Sequence, residues 1–502
     1  MIIKPSYWPR ILIMAMPIVI AMLTQTAINI LDTLMVSWLD PSYAVAGQSA
    51  LSFSMPLMWL FGGFLSSISI GTLAIVARRQ GENSFKLAGA ALTNAVSVAV
   101  ISSLAVGTLA YIFTPDIFQM LIDNDAVIAF GVPYARFRLI GILSMVTTAA
   151  IKSFFDGTNR TYVHMVAAIV MNVANIVLNY VLIFGMGPIP ALNVAGAGLA
   201  SLISTYIGLV IMIVWSLTPA NLKKYRLYRP SSLKLKTCWN IIKVSVPSGC
   251  ANIFVMGGFL IFFKIIAMLD VSGVDELIRS FGAYAGDTLP GWIDTQNQFL
   301  DGNRGLHSIW TTDLAVTVTQ AYPPIYSSSA NLLVSILSVT FMSAMAFGTA
   351  TASLVSQSLG QKKPQLAETY AFESAKIAII MFSILAIVTF CIPETLAGLL
   401  SQVDEVILVT ADTLRVMAPG LVIIACALIF TQSLFGAGCT LFVMCVEGCL
   451  HLICLIPLSY LIGIVMGFGV NGMWSAVLIY ASALCLIMFL KLKAGGWKKI
   501  QL

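Results

Sequence analysis

The sequence predicts an all-α polytopic membrane protein, with twelve transmembrane helices in two six-helix lobes related by a pseudo-two-fold axis along the membrane normal. Three observations predict it. Of 502 residues, 59% are apolar and only 10% charged, with a mean hydropathy of +0.94, whereas soluble domains carry roughly 25% charged residues. Apolar runs repeatedly exceed the ~18 residues that mark a membrane span. Short motifs in the first half recur in the second at a fixed offset.

The spans follow in order, near residues 11–38, 44–76, 87–113, 130–154, 162–184, 194–217, 240–268, 328–356, 366–391, 409–434, 441–464 and 470–492. Backbone polar groups in hydrocarbon must bond within their own segment, so runs of this length are helices. The first run follows Lys4 and Arg10 but is too long for a signal h-region and lacks a small-residue cleavage site, so it reads as an uncleaved span. Basic residues fix the orientation. Arg78, Arg79, Lys86, Lys152, Arg160, the cluster from Lys223 to Lys243, Lys362, Lys363 and the tail from Lys491 to Lys499 all fall on one side. The positive-inside rule makes that side, and both termini, cytoplasmic. The net charge of +6 then serves insertion and contact with the lipid bilayer, with no nucleic-acid partner. The nine cysteines begin at Cys238, form no CxxC pair and mostly lie in apolar runs, as small packing residues do.

Val76-Ala77-Arg78-Arg79-Gln80-Gly81 falls on Val355-Ser356-Gln357-Ser358-Leu359-Gly360 at an offset of 279, which also carries Arg136 onto Arg415, Gly141 onto Gly420, Gly157 onto Gly436 and Thr161 onto Thr440. An even number of spans per half keeps both halves in one orientation, with a central cavity between them. Pro17 falls on Pro247 at an offset of 230 instead. The second half therefore carries an insertion after its first span, and the acidic, polar stretch 270–327 marks it on the outer side. Within it, Leu277, Ile278 and Phe281 share a face and predict a short amphipathic helix over Asp275–Phe281. The expected domains are an N-terminal lobe over 1–220, a basic cytoplasmic linker over 221–239 and a C-terminal lobe over 240–502.

A charge inside a membrane needs a reason. Two acids lie well within spans, Asp32 and Glu447. Gln25, Asn29 and Asp32 share one face of span 1, with Thr33 beside it, and Asn172, Asn175 and Asn179 share one face of span 5. Ser201 of span 6 lies at the same depth, in the outer half of the first lobe. A carboxylate among amide and hydroxyl oxygens suits Na⁺, or a proton held on Asp32; the alternative role is a structural hydrogen bond between helices. Glu447 and His451, four apart in span 11, form a possible proton relay or an interhelical contact, and no third histidine is near enough for a metal site. Glu373 and Lys376 pair near the inner surface. GxxxxGK[ST], HExxH and GxSxG are all absent, so neither a P-loop nor an enzyme motif is present, and no cofactor is expected.

The first-span block from Gln25 to Thr33, Gly71-Thr72, Val76 to Gly81, Phe155-Asp156-Gly157, Asn175 to Tyr180 and Val194 to Ser201 resemble the multidrug and toxic compound extrusion (MATE) family in its bacterial branch. The resemblance runs nearly the whole length of the chain. It implies a monomeric transporter of the bacterial inner membrane that exports organic cations or drugs in exchange for Na⁺ or H⁺ by alternating access. It implies that Asp32 binds the coupling ion, with Asn175, Asn179 and Ser201 completing the polar site. Family members with a cation site in the second lobe carry acids in spans 7 and 10, where this sequence has Val255 and Ile424. The alternatives are a flippase for lipid-linked sugars from the same superfamily, which typically has more spans and more cationic cavities, and an ion channel.

Overall fold

The structure, a computed structural model, describes residues 5–39, 58–121, 125–284, 325–401 and 403–500. Twelve helices are long and apolar enough to cross a membrane, and no β-strand occurs among the described residues. They are Pro5–Ile28, Trp59–Gly81, Phe85–Met120, Ile128–Gly157, Tyr162–Phe184, Asn193–Ser216, Leu235–Asp270, Ile325–Gly360, Pro364–Cys391, Gly420–Ala437, Thr440–Val465 and Gly469–Ala494, called spans 1 to 12. The helix of span 1 itself runs Trp8–Ser37 and so includes Asp32. Large apolar side chains such as Ile13, Ile101 and Ile453 stand about seven-tenths exposed around the bundle, a surface that hydrocarbon solvates and water does not. Pro17, Pro115 and Pro247 lie inside helices, which spans tolerate where neighbouring helices re-satisfy the freed carbonyls.

The twelve spans form two six-helix lobes. Spans 1, 4, 5 and 6 pack closely in the first, and spans 8, 9, 10 and 12 in the second. The repeat is visible as shared irregularity. Span 4 is made of Asp125–Ile140 and Ile142–Gly157, interrupted at Gly141. Asp404–Met417 and Gly420–Ala437 are likewise interrupted before Gly420, the residue the repeat places on Gly141. In the second lobe Pro419 supplies the break, since it has no N–H to continue the ladder.

The lobes meet at the end of the bundle that carries the basic residues. There spans 2 and 8 cross so closely that a Cβ on Gly81 would lie 2.1 Å from the Gln357 carbonyl oxygen, and one on Gly360 2.1 Å from the Arg78 carbonyl oxygen. The contact is reciprocal, because Arg78 and Gln357 are themselves repeat partners. This is the pseudo-two-fold axis expressed in backbone atoms. Span 1 joins the second lobe at the same end, with Ile11, Met14, Ala15 and Ile18 buried in the core that contains Phe347, Leu354 and Tyr370.

Span 7 corrects one expectation. Its helix continues without interruption over Leu235–Tyr284, so 275–281 is the end of a long helix rather than a separate amphipathic one. That stretch contains no proline and nothing to stop a helix that span 7 has already nucleated. Asp270, the first residue of the expected polar insertion, holds the start of span 8: its carboxylate accepts from the backbone N–H of Tyr326 at 2.9 Å, the N–H of Ser327 at 3.0 Å and the Ser327 hydroxyl. A carboxylate at a helix N-terminus satisfies free N–H groups and opposes the helix dipole. Residues 285–324 of the expected insertion lie outside the described residues.

Candidate functional site

Span 1 reaches Asp32 as the apolar stripe of its inner half gives way to polar positions. The side chain is 6% exposed and faces span 5. Asn179 Nδ2 donates to Asp32 Oδ1 at 2.5 Å and also lies 3.3 Å from Asn175 Oδ1. Asn175 Nδ2 in turn donates to the hydroxyls of Ser204 at 3.3 Å and Ser201 at 3.5 Å. The structure thus brings Asp32, Asn175, Asn179 and Ser201 into one hydrogen-bonded chain across spans 1, 5 and 6. The reason is the shared helical spacing of the span 5 amides, which puts them on one face, and the close packing of that face on spans 1 and 6. The side chains of Asn29 and Thr33 lie outside the described residues.

At the centre is a cavity of about 20 Å³, lined by Gln25, Asp32, Arg138, Asn172, Asn175 and Ser201 among others, room for about one water-sized occupant. Both polar atoms of Asn172 and the Asn179 Oδ1 are buried without a hydrogen-bond partner. Amide oxygens are neutral acceptors, so the pocket offers oxygen ligands of the kind that hold a small hard cation, around a single carboxylate among the described residues. Loss of the Asn179 donor is expected to weaken transport at limiting ion concentration. A hydrogen bond to a charged group contributes about 1.5–3 kcal/mol, so Asn179→Ala should shift the ion concentration for half-maximal rate by about tenfold or more. Flux assays across an ion titration measure that shift.

Sequence reading missed Arg138. It lines the same cavity and acts electrostatically on Asp32, although it reads in the sequence as one more basic residue near a span end. Two further acids are buried, Asp156 at 1% exposure and Glu373 at 2%. Each is neutralised locally, Asp156 by Lys152 at 2.7 Å and Glu373 by Lys376 at 2.6 Å. The Glu373–Lys376 pair is the one the sequence predicted, and Glu373 also accepts from Trp8 Nε1 at 3.0 Å. Both acids lie near the basic end and away from the cavity.

At that end Gln357 ties the lobes together. Its Nε2 donates to the Gly157 carbonyl at 3.0 Å and to Asn159 Oδ1 at 2.7 Å, while Arg10 Nη2 donates to its Oε1 at 3.3 Å. Ser353 and Ser356 hydroxyls donate to the Asp156 and Ala74 carbonyls at 2.8 and 2.6 Å, and Arg78 donates to the Ile500 carbonyl at 2.6 Å. Small side chains permit the approach, and hydrogen bonds then replace the contacts that larger ones would make.

Glu447 and His451 are brought together differently from expectation. His451 Nδ1 lies 2.8 Å from the Glu447 backbone carbonyl oxygen, and the carboxylate is not its partner. At a spacing of four in one helix the imidazole folds back onto the turn below it, where the carbonyl is nearer than the side chain. Among the described residues no group of three or more His, Cys, Asp or Glu is placed to hold a metal ion.

Comparison with known proteins gives the family. A probable multidrug resistance protein NorM of Listeria monocytogenes is 26% identical over 249 residues, 49% of this chain and 54% of that protein; the chain spans about half the length of this relative. One from Mannheimia succiniciproducens is 19% identical over 486 residues, 96% of this chain and 92% of that one. Among solved structures, a multidrug resistance MATE family transporter of the MOP superfamily in an outward-facing conformation matches with a TM-score of 0.80 at 16% identity, covering 98% of this chain and 96% of that one. A MOP superfamily transporter from Pyrococcus furiosus matches with 0.79 at 16% identity, over 98% and 96%. At such identity these two likenesses speak for the fold. A sequence model of the MatE family matches residues 17–181 and 309–461, more than half of the chain and parts of both lobes, and the chain belongs to the MatE family.

Proposed function

We propose that the protein is a secondary active efflux transporter that exports organic cations or drugs in exchange for Na⁺ or H⁺ by alternating access. The observation that carries this reading is the cavity around Asp32. It places a buried carboxylate, amide oxygens and a hydroxyl around a space of about 20 Å³, enough for a small ion and too small for a drug. Ion and drug then occupy different places in the molecule, and exchange needs each to shift the same conformational equilibrium by binding one state better than the other. The crossing of spans 2 and 8 supplies an element able to distinguish two such states, because its contacts exist only while the basic end is closed. The names of the Listeria and Mannheimia relatives support the multidrug substrate class.

On this reading Asp32 carries the coupling ion, and Asn175, Asn179 and Ser201 hold it there. The lobes are residues 1–220 and 240–502, joined by the basic stretch 221–239, and their rocking opens and closes the basic end. The protein is a monomer in the bacterial inner membrane with both termini in the cytoplasm. Everted vesicles test the whole scheme. Dye transport is expected when a Na⁺ or pH gradient is imposed without ATP, and collapse of both gradients is expected to abolish it. Transport that persists without any gradient would overturn the proposal.

A further inference from the structure

A second protonatable cluster lies in the C-terminal lobe and takes no part in the Asp32 cavity. Glu447 of span 11 is 7% exposed and His451 is fully buried. A backbone carbonyl only accepts, so the 2.8 Å contact from the Glu447 carbonyl to His451 Nδ1 fixes the proton on Nδ1. Nε2 therefore presents a lone pair, and it is buried without a hydrogen-bond partner among the described residues. The Glu447 carboxylate likewise accepts no hydrogen bond there, and no charged side chain acts on it. Two basic sites thus stand open a turn apart, in a lobe whose other buried acid among the described residues, Glu373, is already paired with Lys376.

The surroundings hold this arrangement in place and limit what can occupy it. Span 7 approaches through Gly258, where a Cβ would lie 2.4 Å from the imidazole Cδ2. The Tyr480 ring of span 12 stands 4.5 Å from the imidazole and the Phe259 ring of span 7 stands 6.2 Å away. Such close ring contacts leave no space for an organic cation, and a metal would need more ligands than the described residues place there. Of the other titratable groups, span 12 brings Tyr480, with Cys485, Lys491 and Lys493 nearer the basic end, and span 10 carries only Cys426. Span 7 has Lys236, Cys238, Lys243, Cys250, Lys264 and Asp270, all more than a turn from Gly258. Span 11 adds Cys454 and the exposed Cys445, Cys449 and Tyr460. His451 sits in a π-helical stretch, Leu450–Leu455, just before Pro457. Proline withdraws a donor from the ladder above it, and π turns within helices recur at functional sites. Span 11 has two π-helical stretches, Leu450–Leu455 and Leu461–Val465, and its buried imidazole lies in the first.

We infer that Glu447 and His451 form a second proton-binding site of the transporter, loaded in one conformation and unloaded in the other. A hydronium ion gives its proton to His451 Nε2 or to the Glu447 carboxylate, an N–H or O–H bond forms, and water is released. This rests on the ion-exchange reading above and adds a second proton to the cycle, in the lobe opposite Asp32.

The test uses the full-length protein and two readouts. Infrared difference spectra of the purified protein across a pH titration are expected to contain a protonated-carboxyl band that Glu447→Gln removes and Asp32→Asn retains. In proteoliposomes under a pH gradient, Glu447→Gln and His451→Gln are each expected to lower the protons moved per drug by about one, while Asp32→Asn stops exchange altogether. Should Glu447→Gln fail to fold, Glu447→Asp is expected to shift the band instead of deleting it. A spectrum unchanged by these substitutions, together with an unchanged proton ratio, would overturn this inference and leave the Asp32 reading standing. If the wild-type exchange ignores both pH and Na⁺ gradients, the exchange reading itself fails, and the infrared titration still decides whether Glu447 takes up a proton.

Discussion

Asp32→Asn is expected to give an inserted, folded protein whose coupled export falls to the level of an empty-vector control. Asparagine keeps the shape of aspartate, and its Oδ1 still accepts from Asn179, so the chain through Asn175 to Ser201 survives. What disappears is the only carboxylate lining the cavity among the described residues. An amide neither binds a proton near neutral pH nor offers an anionic ligand to Na⁺, so the site loses its preference between conformations. Moving a two-state equilibrium from one side to the other takes roughly 10⁴-fold differential affinity. A neutral pocket cannot supply it, and a loss of at least about 100-fold in gradient-driven rate follows. Thermal stability is expected to hold or rise, because a carboxylate buried at 6% exposure carries a desolvation cost that an amide does not. That combination separates a coupling role from a structural one: a glue residue would lower the melting temperature and leave the residual transport gradient-dependent. Export at the wild-type rate would refute the assignment.

The spans were legible because the signal is long and coarse. A run such as 162–184 exceeds any helix a soluble core requires, and its bounds coincide with Tyr162–Phe184. The residues of the cavity were legible because polar positions in an otherwise apolar helix stand out, and Asn172, Asn175 and Asn179 keep helical spacing. Other features depended on distance in space, which a single sequence does not contain. Arg138 carries no mark separating it from Arg136, yet one lines the cavity with Asp32 while the other lies over the Tyr111 ring at 4.9 Å. Asp275–Phe281 read as a separate short helix because the stretch around it is polar, although polarity does not end a helix that span 7 has already begun. Asp270 read as the first residue of an insertion, and only the position of Ser327 beside it reveals a helix cap. The spacing of Glu447 and His451 was plain, but spacing alone did not tell a side-chain partner from a backbone one.

Gly81→Val and Gly360→Val are each expected to block closure of the basic end and to stop transport while leaving both lobes folded. The repeat motif marked these glycines, and the structure gives the reason they are glycine. Each would carry a Cβ 2.1 Å from a backbone carbonyl oxygen of the opposite lobe, Gln357 in one case and Arg78 in the other. Backbone cannot rotate aside as a side chain can, so the helices themselves must separate. Separation also stretches the hydrogen bonds from Ser356 to Ala74 and from Gln357 to Gly157. Overpacking a tight contact typically costs about 1–3 kcal/mol, which moves the balance between closed and open basic ends by roughly 5–150-fold toward open. Because the two contacts are reciprocal about the pseudo-two-fold axis, the two variants should behave alike, and the milder Gly81→Ala and Gly360→Ala should be intermediate. Gly496→Ala is the control, since a Cβ there meets nothing within 4 Å. The measurement is labelling of a single cysteine at position 353 in a cysteine-free background, from the basic side of the membrane. Ser353 is fully buried in the closed crossing, so its reactivity reports opening directly. Labelling should rise in both valine variants and stay low in the control. If both valine variants transport normally with position 353 still protected, the crossing of spans 2 and 8 is not the gate.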